Sequence, residues 1–131
     1  MAEKKNKYID YTDSGFIGNH NFELVDCKEG KTAVVKAVID DKALNPYGIA
    51  HGGFIFGLGD SAMGMVARST GRKAVTLSAN ITYLKPSVGE YLVANCEMIK
   101  NGKTTCFLRC NIYNDKDFLV ATMDGNYYYI D

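Results

Sequence analysis

The chain has 131 residues, 47% of them hydrophobic, with 15 Lys and Arg against 15 Asp and Glu. That length fits one domain able to bury a proper core, and the apolar content excludes an intrinsically disordered chain. Zero formal net charge provides no general positive field to collect nucleic acid or an anionic membrane.

The N-terminal stretch MAEKKNKYIDYTDSG carries basic residues with no apolar segment behind them, unlike a secretory signal. No run reaches the ~18 apolar residues that span a bilayer. Residues 1–131 read as one domain, of which about the first 12 residues form a loosely ordered arm. Cys27, Cys96, Cys106 and Cys110 show no CxxC spacing, and only His20 and His51 could join them as soft ligands. They read as buried reduced thiols rather than a metal site, and a reducing cytoplasm follows as the setting.

His20 to Asp26 and Lys31 to Ile39 read as strands around a Lys28-Glu29-Gly30 turn. In the second, Ala33, Val35, Ala37 and Ile39 alternate with Thr32, Val34, Lys36 and Val38. Next comes NPYGIAHGGFIFGLGDSA, residues 45–62, with five glycines, one histidine and one aspartate. The only helix of useful length, Gly52 to Ser69, starts inside it. Phe54, Ile55, Phe56, Leu58, Ala62, Met63, Met65, Val66 and Ala67 cover nearly every side of that helix, so it is a buried one. Glycines at 53, 57 and 64 would let strands approach its backbone closely.

Beyond the helix the chain is strand-rich. Ala74 to Leu84 sets Val75, Leu77, Ala79, Ile81 and Tyr83 on one face, and Thr76, Ser78, Asn80 and Thr82 on the other, ending at Lys85-Pro86. Tyr91 to Ile99 carries an apolar row of Leu92, Ala94, Cys96 and Met98. Thr104 to Ile112 carries Cys106, Leu108, Cys110 and Ile112. A Lys100-Asn101-Gly102 loop pairing Ile99 with Lys103, with positive φ at Gly102, puts both rows on one face. A four-residue loop, Asn114 to Asp117, sets Ile112 against Leu119 and Cys110 against Ala121, with Met123 beside Leu108. NYYYI extends the last strand. The expectation is an α+β fold, one long buried helix wrapped by a curled antiparallel sheet, with an exposed sheet edge suited to pairing with a second subunit.

Asp60 stands among apolar neighbours, with no cation within seven positions. A buried carboxylate suits proton or acyl transfer; alternatively, a helix starting after it would make it an N-cap. Gly57-Leu58-Gly59-Asp60-Ser61-Ala62 matches GxGxxA, but the following strand AVTLSANITYL lacks the acid a dinucleotide site needs. His51-Gly52-Gly53 lies where a loop enters the helix. Free N–H groups there can hold a carbonyl oxygen gaining negative charge, or the segment is a glycine-rich turn with a structural histidine. Asn45 either orients a water or closes an Asx turn. Eight residues of helix separate Asp60 from Gly52 by about 12 Å, too far to act on one carbonyl within one chain. A two-fold dimer setting the aspartate of one subunit against the glycine turn of the other removes that difficulty.

NPYGIAHGGFIFGLGDSAMG, followed by AVTLSANITYLKPSVGEYLVANCEMIKNGKT, resembles the PaaI-like acyl-CoA thioesterases of the hotdog superfamily, from about Phe22 to the C-terminus. The Asn-x5-His-Gly-Gly-x6-Asp spacing and the LKP turn carry most of the likeness. The resemblance implies a hotdog fold, a homodimer or dimer of dimers, and hydrolysis of an acyl-CoA thioester to free acid and coenzyme A. It implies no separate cofactor or metal, coenzyme A being part of the substrate. It makes Asp60 the catalytic carboxylate, as general base or nucleophile, and gives the Gly52 or Gly53 N–H the carbonyl-polarising role. It puts Asn45 and His51 near the thioester, and Thr76 where relatives place a hydroxyl holding the water or the aspartate; strand parity points Thr76 away from the core. Two other readings compete: a non-catalytic acyl-CoA-binding hotdog module, which would have no use for Asp60, and a dehydratase, which the Asn45, His51 and Asp60 spacing fits poorly.

Overall fold

A computed structural model describes residues 15–131; the expected N-terminal arm, residues 1–12, lies outside them. A short helix α1 (Gly15–Asn19) leads into β1 (Glu23–Lys28) and β2 (Thr32–Val38). The long helix α2 (Gly52–Arg68) follows, then β3 (Ala74–Tyr83), β4 (Tyr91–Asn101), β5 (Thr105–Asn114) and β6 (Leu119–Tyr129). The strands form one antiparallel sheet in the order β1-β2-β4-β5-β6-β3. The sheet curls around α2, which is the expected α+β, hotdog arrangement. With every pairing antiparallel, GxGxxA has no βαβ unit to sit in.

The alternating rows explain why the sheet closes on the helix. Ala33, Val35 and Ala37 of β2, Leu92, Ala94 and Cys96 of β4, and Cys106, Leu108, Cys110 and Ile112 of β5 are all buried. They face Phe54, Ile55, Leu58, Ala62, Met63, Met65, Val66 and Ala67 of α2. Apolar side chains on nearly all sides of α2 are thus used, at about 1.5–3 kcal/mol for each large side chain fully buried. All four cysteines are free thiols, three of them buried.

Several local expectations change. The first strand starts at Glu23 rather than His20, because α1 and the turn after it occupy the preceding residues; five helical residues are too few to leave a periodic signal. Met98 pairs with Leu108, whereas the expected loop would set it against Thr104, four residues away. Gly102 does not take a positive φ; its N–H donates to the Thr105 carbonyl at 2.9 Å. Ile112 pairs with Ala121 and Cys110 with Met123, a slide of two residues. Both displacements are even, so every buried row keeps its face.

Glycines 53, 57 and 64 are not where strands approach. A Cβ there would meet, respectively, the His51 imidazole, the Phe16 ring of α1 and the Arg68 guanidinium. The close approach is at Gly59, where a Cβ would collide with Met123 Sδ of β6.

The largest change is in β3, one of the two edge strands. One extra residue is inserted between Thr76, which pairs with Tyr127, and Ser78, which pairs with Asn126. The bulge at Leu77 reverses the parity upstream of it. Ala79, Ile81 and Tyr83 lie opposite buried rows of β6 as expected, but Ala74 and Thr76 join them while Val75 and Leu77 turn outward. Thr76 therefore points toward the helix, contrary to the parity expectation.

Candidate active site

Asp60 lies in the middle of α2, with helix both before and after it, so it is no N-cap. Its side chain is part-buried. Thr76 Oγ1 donates to Asp60 Oδ1 at 2.7 Å. The phenol of Tyr127 donates to the same oxygen at 2.5 Å and lies 2.8 Å from the Asp60 carbonyl oxygen. Three elements thus converge on one carboxylate: α2 supplies it, and β3 and β6 supply its donors. Asp60, Thr76 and Tyr127 share a cleft with Phe16 and Ile17 of α1 and with Arg68 of α2.

 That cleft has a volume of about 460 Å³.

Burial first, and the neighbouring Asp60 carboxylate second, hold the Tyr127 phenol far above the ordinary tyrosine range, so it stays protonated and can act only as a donor toward Asp60. The sequence reading missed Tyr127. The signal was present: continuing the inward parity of Met123 along β6 carries Tyr127 into the core, where a phenol needs a hydrogen-bond partner.

The helix start is built differently. His51 is the N-cap of α2, and its Nδ1 accepts the Gly53 N–H at 2.8 Å. Of the two amides expected to polarise a carbonyl, the one at Gly53 is therefore already used in the cap. Gly52 is the first helical residue, so no carbonyl of an earlier turn is available to its N–H. Its own carbonyl accepts the Tyr83 hydroxyl of β3 at 2.6 Å. Asn45 closes the loop before the helix: its Oδ1 accepts the N–H groups of Tyr47 at 2.9 Å and Ile49 at 3.2 Å. The Asx-turn reading of Asn45 is thus the one observed. Ser87, next to this end of β3, is buried, and with Tyr83, Leu84, Lys85 and Pro86 it lines a second, smaller opening.

The six residues singled out from sequence therefore fall into two groups. Asp60 and Thr76 are in direct contact at one end of β3. Asn45, His51, Gly52 and Gly53 cluster at the other, beside Tyr83. Within one chain the groups remain apart, as the length of helix between them requires. Among the described residues, no group of three or more His, Cys, Asp or Glu side chains is placed to hold a metal ion, and no helix is long and apolar enough to cross a membrane.

Comparison with known proteins places this architecture in a family. Residues 47–121 match the thioesterase superfamily. A putative esterase of Archaeoglobus fulgidus is 34% identical over 113 residues, covering 82% of this chain and 73% of that protein. The structure of the Escherichia coli PaaI protein superposes with a TM-score of 0.87 at 27% identity, covering 92% of this chain and 88% of that one. A hypothetical thioesterase from Streptococcus pneumoniae, crystallised with coenzyme A, superposes at 0.78 with 32% identity, over 83% of this chain and 85% of the other. The chain belongs to the thioesterase superfamily, as a PaaI-like hotdog protein.

Proposed function

We propose that this PaaI-like chain hydrolyses acyl-CoA thioesters to a carboxylic acid and free coenzyme A, at a site shared by two subunits. The observation that carries the reading is Asp60, a carboxylate in mid-helix held by the hydroxyls of Thr76 and Tyr127 at 2.7 and 2.5 Å. The match of residues 47–121 to the thioesterase superfamily and the coenzyme A bound to the S. pneumoniae protein support the substrate class.

In the proposed site the thioester carbonyl accepts the Gly52 N–H at the positive end of the α2 dipole. Asp60 of the partner subunit takes a proton from water, whose oxygen bonds to the carbonyl carbon; the C–S bond then breaks and the proton passes to the thiolate. Direct attack by Asp60, giving an anhydride that water opens, uses the same geometry, and single-turnover hydrolysis in ¹⁸O-water separates the two routes. His51 and Asn45 keep the helix start in shape, and Thr76 orients the carboxylate.

The edge strand favours the two-subunit arrangement. Contacts of Tyr83 with Gly52 and of Thr76 with Asp60 mean that α2 and β3 run antiparallel. If two β3 edges pair antiparallel about a two-fold at Asn80, the bulge at Leu77 brings Thr76 of one subunit opposite the partner's Tyr83. Both helices then stand on the same side of the joined sheet, with Asp60 close to the partner's Gly52. Pairing would also cover Val75 and Leu77, which are 46% and 62% exposed. The test is thiol release from a panel of acyl-CoA thioesters by the native protein and Asp60→Asn. The reading requires release by the first and its loss in the second; binding of acyl-CoA with no thiol released by either would favour a binding module instead.

A further inference from the structure

Tyr127 is 1% exposed, and a phenylalanine would fill the same space. Its hydroxyl therefore calls for a reason other than packing. The other buried tyrosine of β6 shows what a structural phenol does here: Tyr129 donates to the Asn101 side chain at 2.5 Å while the Arg72 guanidinium covers its ring. Tyr127 instead gives its single proton to a carboxylate, at 2.5 Å, in preference to the carbonyl oxygen at 2.8 Å. Hydrogen bonds to charged groups are the strong ones.

Thr76 and Tyr127 are direct register partners on β3 and β6, so their hydroxyls reach the helix at the same height. The Leu77 bulge is what turns Thr76 inward beside Tyr127. Both donors end on Oδ1.

We infer that Tyr127 is a positioning residue for the proposed hydrolysis: with Thr76 it anchors Asp60 Oδ1 and leaves Oδ2 as the oxygen that meets the water or the acyl carbon. The inference rests on the catalytic reading of Asp60 given above. With one oxygen pinned by two donors, the carboxylate cannot rotate about its last bond without losing both, and the reacting oxygen is presented in a single orientation. The other charged side chain lining the cleft is Arg68, further along α2; α1 and β3 contribute no titratable side chain to the lining.

The experiment compares the native protein, Asp60→Asn, Tyr127→Phe and Thr76→Val in thiol release. Tyr127→Phe is expected to lower kcat about 10- to 100-fold, the scale of one hydrogen bond to a charged group, with KM changed less than about two-fold. A purely structural tyrosine would lower stability and leave kcat of the folded protein near native. Native kcat in Tyr127→Phe, with Asp60→Asn inactive, would overturn the inference alone; an active Asp60→Asn would remove the catalytic reading with it. Should Tyr127→Phe fail to fold, Thr76→Val removes the other donor to the same oxygen: kcat must then fall with KM little changed, and native kcat would overturn the inference.

Discussion

At its Thr76 end β3 meets α2 through a hydroxyl donated to the Asp60 carboxylate, which Tyr127 of β6 also holds. At its Tyr83 end it meets the same helix through a phenol donated to the Gly52 carbonyl. The two ends differ in what is left over. Around Gly52 the polar side chains serve the local backbone: His51 caps Gly53, and Asn45 closes its own turn. Around Asp60, two hydroxyls from different strands converge on a group that helix formation does not need. Satisfied local polar groups are architecture, whereas a carboxylate served by its surroundings is the better candidate for chemistry.

This contrast can be broken by separating rate from stability. Asp60→Asn should lower turnover by on the order of 10²–10⁴ and leave the fold intact; an unfolded variant with no separate loss of rate would erase the distinction. His51→Ala should do the reverse. Losing the N-cap costs about 1 kcal/mol of stability, a fall of about 4 °C in melting temperature, with turnover affected far less than by Asp60→Asn. Asn45→Ala, which removes two backbone hydrogen bonds at an exposed loop, should cost roughly 0.5–1.5 kcal/mol, read by denaturant titration.

The smallest effect concerns alkaline stability. Tyr127 is held neutral by burial and by Asp60, and burial raises Tyr129 to about 12, while an unfolded phenol titrates at about 10. Groups raised in this way contribute stability that is complete below pH ~10 and is lost as pH rises through their folded values. Melting temperature should therefore fall above pH ~10, and less steeply in Tyr127→Phe. Equal slopes would mean that Tyr127 is not held neutral by the fold.

Much of this was legible from the residues. The apolar run from Phe54 to Ala67 could only be a buried helix, and the alternating rows around Ala94, Cys96, Leu108 and Cys110 could only face it. Those rows survived loop errors because slides of four and two residues preserve the side-chain period. Thr76 was not legible: AVTLSANITYL alternates without a break, so the bulge at Leu77 leaves no mark in it and plain alternation sets Thr76 on the polar face. Tyr127 was hidden among three consecutive tyrosines, and its role emerges only when β3 and β6 are placed side by side. Local side-chain-to-backbone bonds decide the jobs of Asn45 and His51, and a spacing pattern does not distinguish such bonds from substrate contacts.

The central claim is a site shared between subunits, and complementation tests it most directly. Asp60→Asn and Gly52→Val, each deficient alone, would be unfolded together in equal amounts, refolded and assayed for thiol release. Random pairing makes half the dimers mixed, and each mixed dimer has one site with both Asp60 and Gly52 intact, so the mixture should recover about a quarter of native activity. A mixture no more active than the average of its two parents would contradict the shared site.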